Sequence, residues 1–268
     1  MSCARVVWAA GLRDVCAARD VCSPCTWVKK LLSTILLWEY SIDMVKTIYH
    51  GSNKIIEKPL FGYGKARNDY GLGFYCTEEL CMAKEWGVSK DVDGYANIYQ
   101  IETDGLSVFD LNSEDYTILH WLTVLLENRS FDITSALAQE AKEYLLKNFN
   151  VPYKEYDIIT GYRADDSYFS FAQDFINGAI SVHQLGNAMK LETLGTQFVL
   201  KSKKAFDAIH FQDYEIADSE QWFSKKEVRD KTARRQYFDM EKNKRQRGDL
   251  YIIQILDEEI KADDPRLR

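Results

Sequence analysis

Two glycine-bearing strand ends, about two dozen residues apart, restrict this chain more than any other feature. The first closes the run Ile48-Tyr49 on His50-Gly51-Ser52. The second is Gly71-Leu72-Gly73-Phe74-Tyr75, which runs straight into helix-forming sequence. Glycine in a strand marks a place where a ligand or another backbone approaches closely. An imidazole at one strand end, an aromatic at the other and Trp86 eleven residues further on furnish a cleft for a flat ring and a ribose. A neutral imidazole both donates and accepts a hydrogen bond, which suits a sugar hydroxyl. An aromatic face attracts a flat cation by about 0.5–2 kcal/mol. Each residue also has a plainer reading: His50 as a structural strand-end histidine, Tyr75 and Trp86 as core aromatics.

The chain is long enough for one large domain, and at 46% hydrophobic residues it can build a sizeable core. A net charge of −7 disfavours general nucleic-acid binding by the whole molecule. No apolar run approaches 18 residues, so no transmembrane helix is expected. Four of the six cysteines fall in the first 25 residues (Cys3, Cys16, Cys22, Cys25), with Cys76 and Cys81 beside the second motif. That clustering is unlike a secreted disulfide scaffold and points to a reducing, cytoplasmic setting. Cys22-x-x-Cys25 is half a zinc site or a pair of free thiols; no second Cys/His pair follows at suitable spacing. No metal site is expected.

Residues 1–43 differ from the rest. A short near-repeat (Arg13-Asp14-Val15-Cys16, Arg19-Asp20-Val21-Cys22) precedes the apolar stretch Leu31 to Trp38. This is either a helical arm on the domain or an extension upstream of a start at Met44. From Met44 the pattern predicts strands at Val45–Tyr49, Gly71–Cys76 and Tyr95–Ile101. Leu106–Leu111 is expected to pair with the last of these through a Thr103-Asp104-Gly105 hairpin turn. Thr77, Ser113 and Thr134 are the expected helix N-caps. Strands follow at Asp157–Gly161, Gln197–Lys201 and Ala208–Glu215, with helices at 167–176 and 182–191. A basic helix covers about 224–249, where residues 225–249 hold ten Lys or Arg against five Asp or Glu. It is a nucleic-acid contact or, more plainly, a solvated helix. Strands and helices mix without regular alternation, which argues for α+β with a largely antiparallel core.

The two motifs together resemble the NAD-binding core of the ADP-ribosyltransferase superfamily, in the His-Tyr-Glu branch that includes diphtheria toxin and the poly(ADP-ribose) polymerases. His50-Gly51-Ser52 is similar to the first motif of that branch, and Gly71-Leu72-Gly73-Phe74-Tyr75 to its second. Ala83 and Trp86 fall where the polymerases carry a small residue and a second aromatic. Gly161 to Ala172 and Leu194 to Ser202 resemble an uncharacterised bacterial family grouped with these transferases. The resemblance covers residues 44–268 and implies two small packed, mostly antiparallel sheets with surrounding helices. It implies NAD+ as co-substrate, held by His50, Gly51, Ser52, Gly73, Tyr75, Ala83, Trp86 and Arg163, the last on the pyrophosphate or at a helix entry. Read from the residues themselves, either Asp166 or Tyr168 touches an acceptor, or Asp165, Asp166 or Ser167 caps the helix that follows. His50, Tyr75 and Gln197 are the expected catalytic set.

Gln197 departs from the branch, which carries a glutamate there. An amide can bond a ribose hydroxyl but brings no negative charge to a developing cation. Loss of one such stabiliser costs about 3–4 kcal/mol. The glutamine favours mono-ADP-ribosylation over chain elongation, and leaves a catalytically weak NAD- or ADP-ribose-binding module as the alternative. Glu192 is a possible substitute carboxylate or a solvated surface residue. The implied setting is a bacterial toxin or effector with a macromolecular acceptor, a possible small antitoxin-like partner and no membrane.

Overall fold

The computed structural model describes residues 45–164, 166–189, 195–242 and 247–267. The segment 1–43, with its near-repeat and Cys22-x-x-Cys25, lies outside the described residues, and so does Glu192.

The described chain is α+β, with two small sheets and eight helices. The strands are β1 (Val45–Ser52), β2 (Phe74–Cys76), β3 (Gly94–Glu102), β4 (Val108–Asp110), β5 (Ile158–Tyr162), β6 (Thr196–Leu200) and β7 (Ile209–Ala217). The helices are α1 (Leu80–Gly87), α2 (Ile118–Asn128), α3 (Ala136–Asn148), α4 (Asp166–Ile176), α5 (Val182–Met189), α6 (Lys203–Asp207), α7 (Ser219–Lys242) and α8 (Ile252–Asp257). One sheet has the order β1-β3-β7, the other β2-β6-β5-β4. Every pairing is antiparallel except β4 with β5. Tyr49 and Thr77 exchange backbone hydrogen bonds of 2.8 and 2.9 Å, joining the end of β2 to β1.

Side-chain alternation along the strands explains how the sheets pack. Ile48, Tyr99, Ile101 and Ile209 of the first sheet bury against Phe74, Cys76, Ile158, Phe198 and Leu200 of the second. The intervening residues Ile159 and Val199 point the other way. They join a larger core with Trp121 and Leu122 of α2, Leu145 of α3, Phe171 and Phe175 of α4 and Ile252 and Ile255 of α8. The two inner strands of the second sheet, β5 and β6, are thus buried on both faces.

Several local expectations are corrected. Leu106–Leu111 does not pair with β3. Both edges of β3 are taken by β1 and β7, so after the Gly105 turn (φ +69°) the chain crosses to the second sheet and β4 lies parallel to β5. Thr117, not Ser113, caps α2, reciprocally with His120, and Ser135, not Thr134, caps α3 by accepting from the Ala138 N–H at 3.1 Å. Thr77 lies in the bridge to β1; its hydroxyl accepts from the Glu79 N–H at 3.2 Å ahead of α1. The strand expected from Gly71 begins at Phe74, because residues 71–73 form a turn with Gly71 at φ +74°.

Candidate functional site

A cavity of about 820 Å³ opens where β1, β2 and β6 converge, within the roughly 300–1,000 Å³ of ligand pockets. Of the expected residues, His50, Gly51, Ser52, Gly73, Tyr75, Trp86, Arg163 and Gln197 line it. Ala83 does not: it is fully buried, and its carbonyl lies where a side chain on Gly51 would fall. Gly51 is therefore required first for α1 to seat on β1, and Gly73 for β2 to approach Val199 and Leu200. The side chains of Asp166 and Tyr168 lie outside the described residues. A second cavity of about 600 Å³, bordered by Asn112, Tyr162, His183 and Arg266, contains none of the expected residues.

His50 is held in one tautomer. Its Nδ1 lies 2.7 Å from the Tyr75 carbonyl oxygen, which only accepts, so Nδ1 carries the proton and Nε2 is left as an acceptor. The ring stacks on Phe74 at 4.3 Å, and burial lowers its pKa, against the carbonyl bond that raises it. The imidazole is thus neutral at neutral pH. Asn97, fully buried, donates to the His50 and Lys54 carbonyls (3.1 and 3.2 Å) and accepts from the Ile56 N–H at 2.8 Å. That fixes both the strand end and the loop forming one cavity wall.

Tyr75 is anchored by its hydroxyl, which donates to the Gly71 carbonyl at 2.5 Å and accepts from the Tyr70 N–H at 3.1 Å. Lys201 Nζ donates to the carbonyls of Tyr70 and Leu72, each at 2.5 Å, clamping the same turn. Across the cavity the Arg163 guanidinium lies 4.6 Å above the Trp86 ring, so that face of the indole already carries a cation. The Trp86 Nε1 is buried and has no hydrogen-bond partner among the described residues.

Asp69 escaped the sequence reading. It is 4% exposed and accepts from Arg129 Nη1 at 3.0 Å, the Ala164 N–H at 2.8 Å and Gln197 Nε2 at 3.3 Å. Burial raises its carboxyl to about 6, against the lowering by Ala164, Arg129, Arg163 and Gln197. Gln197 is 6% exposed, and its Oε1 is buried without a hydrogen-bond partner among the described residues. No motif marks Asp69; the one signal was a polar pair, Asn68-Asp69, just ahead of the second motif. Lys65, Arg129, Arg163, Lys226 and Arg234 line the cavity with Asp69 and Asp230, so cations outnumber carboxylates five to two. This lining favours an anionic ligand. Among the described residues no cluster of three His, Cys, Asp or Glu could hold a metal.

No curated protein and no solved structure matches the chain. A family model described as a protein of unknown function, DUF3990, matches residues 46–211. That span is more than half of the chain and holds every cavity-lining residue except those of α7. The chain is a member of the DUF3990 family.

Proposed function

We propose that this protein is an NAD-dependent mono-ADP-ribosyltransferase that binds NAD in the 820 Å³ cavity, releases nicotinamide and transfers ADP-ribose to a macromolecular acceptor. The observation that carries this reading is convergence. His50 from β1, Tyr75 from β2 and Gln197 from β6 lie far apart in sequence and line one cavity. They are the residues expected from the resemblance, and two small packed sheets agree with the ADP-ribosyltransferase-like fold it implies.

The chemistry of the lining supports the same reading. His50 Nε2 and Gln197 Oε1 are acceptors suited to ribose hydroxyls. The Trp86 N–H is a donor without a partner among the described residues, and the cationic surplus suits a pyrophosphate. Heterolysis of the bond between C1′ and the nicotinamide nitrogen leaves the electron pair on that nitrogen, which becomes neutral. C1′ then takes a lone pair from the acceptor, whose proton passes to solvent. An amide at 197 supports a single transfer over chain growth. The setting of a bacterial, intracellular toxin or effector with an antitoxin-like partner belongs to this proposal.

The test is nicotinamide release from NAD by the full chain. The wild type turns over, and His50→Ala lowers the rate at least about 100-fold, as loss of a ligand-orienting contact does. A wild type that neither binds nor cleaves NAD overturns the proposal. One observation favours a second reading, a pocket that binds NAD or ADP-ribose without cleaving it: position 197 is an amide. That reading predicts affinity without turnover.

A further inference from the structure

Asp69 and Gln197 are joined in a way that neither motif announces. Both are nearly fully buried, and the Gln197 amide meets the Asp69 carboxylate at 3.3 Å. An ionised carboxylate only accepts, so the amide must turn its NH2 toward Asp69 and present Oε1 elsewhere. That Oε1 has no partner among the described residues, though Gln197 borders the cavity. A buried acceptor left unpaired carries its full desolvation penalty unless a ligand satisfies it. Asp69 itself is occupied, with Arg129 on Oδ1 and both Ala164 N–H and Gln197 on Oδ2. It therefore acts on a ligand through Gln197 and through its charge.

We propose that Asp69 is the positioning residue of the site: it fixes Gln197 with Oε1 toward a sugar hydroxyl of the ligand and supplies the negative charge that an amide at 197 lacks. This rests on the NAD-cleaving reading above. In that reaction the C1′–N bond breaks with its electron pair leaving on nicotinamide, and positive charge develops at C1′ and the ring oxygen. The Asp69 carboxylate, one amide away, opposes that charge. Water or an acceptor hydroxyl then adds at C1′, and its proton goes to solvent. The groups facing Asp69 are Arg129, Arg163, Tyr70 and Tyr75. Both phenols are raised by burial and stay neutral at neutral pH. The Asp69 carboxyl, raised to about 6 by burial, titrates in mildly acidic solution.

The experiment measures kcat and KM for nicotinamide release across pH 5–8 by the full chain, Asp69→Asn, Gln197→Glu and the double variant, with a thermal midpoint for each. Asp69→Asn lowers kcat about 100-fold, as loss of one electrostatic stabiliser does, with KM changed less than about threefold. The double variant, which moves the carboxylate from 69 to 197, recovers kcat to within about tenfold of wild type. The wild type shows a low-pH limb centred near pH 6. In Gln197→Glu two adjacent carboxylates share the site, so the limb moves upward. The wild-type limb needs no variant, so its absence overturns the proposal even if Asp69→Asn fails to fold. Asp69→Asn with kcat within threefold of wild type overturns it too, as does a folded double variant with no recovery; in both cases the NAD-cleaving reading stands. A wild type that does not cleave NAD removes that reading, and this inference with it.

Discussion

That His50, Tyr75 and Gln197 would be neighbours was expected from the sequence, His50 and Tyr75 from a strand end and a glycine-flanked aromatic, Gln197 from the family resemblance, and the three line one cavity. Asp69 was not expected, because what makes it unusual is tertiary. Its partners Arg129, Ala164 and Gln197 lie 60, 95 and 128 residues away. That burial has a stability consequence. Burial raises the Asp69 carboxyl to about 6, so the folded chain holds this proton more tightly than the unfolded chain does. The contribution is fully present below about pH 4 and is lost as pH rises through about 6. It amounts to about 3 kcal/mol. Denaturant titrations of wild type and Asp69→Asn at intervals from pH 4 to 7.5 check this. The wild type loses stability relative to the variant across that window, whereas a constant difference would place Asp69 in a solvated site. Gly51 teaches the reverse lesson: its pattern was visible, but its main task is to admit α1, since a side chain there meets the Ala83 carbonyl.

Among elements, periodicity gave the strands and helices, and edge occupancy decided their partners. The Thr103-Asp104-Gly105 turn forms, yet β3 is already flanked by β1 and β7, so β4 must join the other sheet. No local signal reports that an edge is taken. The helix N-caps slipped for a related reason: Thr117 has His120 to complete the cap, and Ser113 has nothing comparable. The link between α1 and α7 was likewise hidden in two charged residues of ordinary appearance. Arg229 Nε donates to Glu85 Oε2 at 2.7 Å, with Asp230 3.4 Å from Arg229 Nη2. The Glu85 and Arg229 side chains are 11% and 8% exposed. Removing one partner of such a pair strands a buried charge, so Glu85→Ala is expected to cost about 3 kcal/mol, and Glu85→Met with Arg229→Met to recover most of it. Denaturant midpoints of the three proteins decide this. Equal midpoints for wild type and Glu85→Ala would show that the pair is solvated.

At the scale of the whole molecule, a chain of net charge −7 gathers five cations around one cavity. The overall charge excludes general attraction to polyanions, while the local surplus selects for an anion in one place. Three of the residues at that cavity, Lys226, Asp230 and Arg234, come from α7, and Tyr237 of the same helix stacks on Phe171 at 3.6 Å. The basic segment, which reads in isolation as a solvated helix, is therefore both part of the core and part of the cavity wall. Among the described residues no helix is long and apolar enough to cross a membrane. The proposed function requires that this cavity hold NAD. The measurement that asks this most directly is calorimetric titration of NAD into the full chain, beside Gln197→Ala and His50→Ala. The expected result is one site per chain, weakened at least about tenfold by either substitution, a loss of about 1.4 kcal/mol or more. No heat of binding, or an affinity that neither substitution changes, would contradict it.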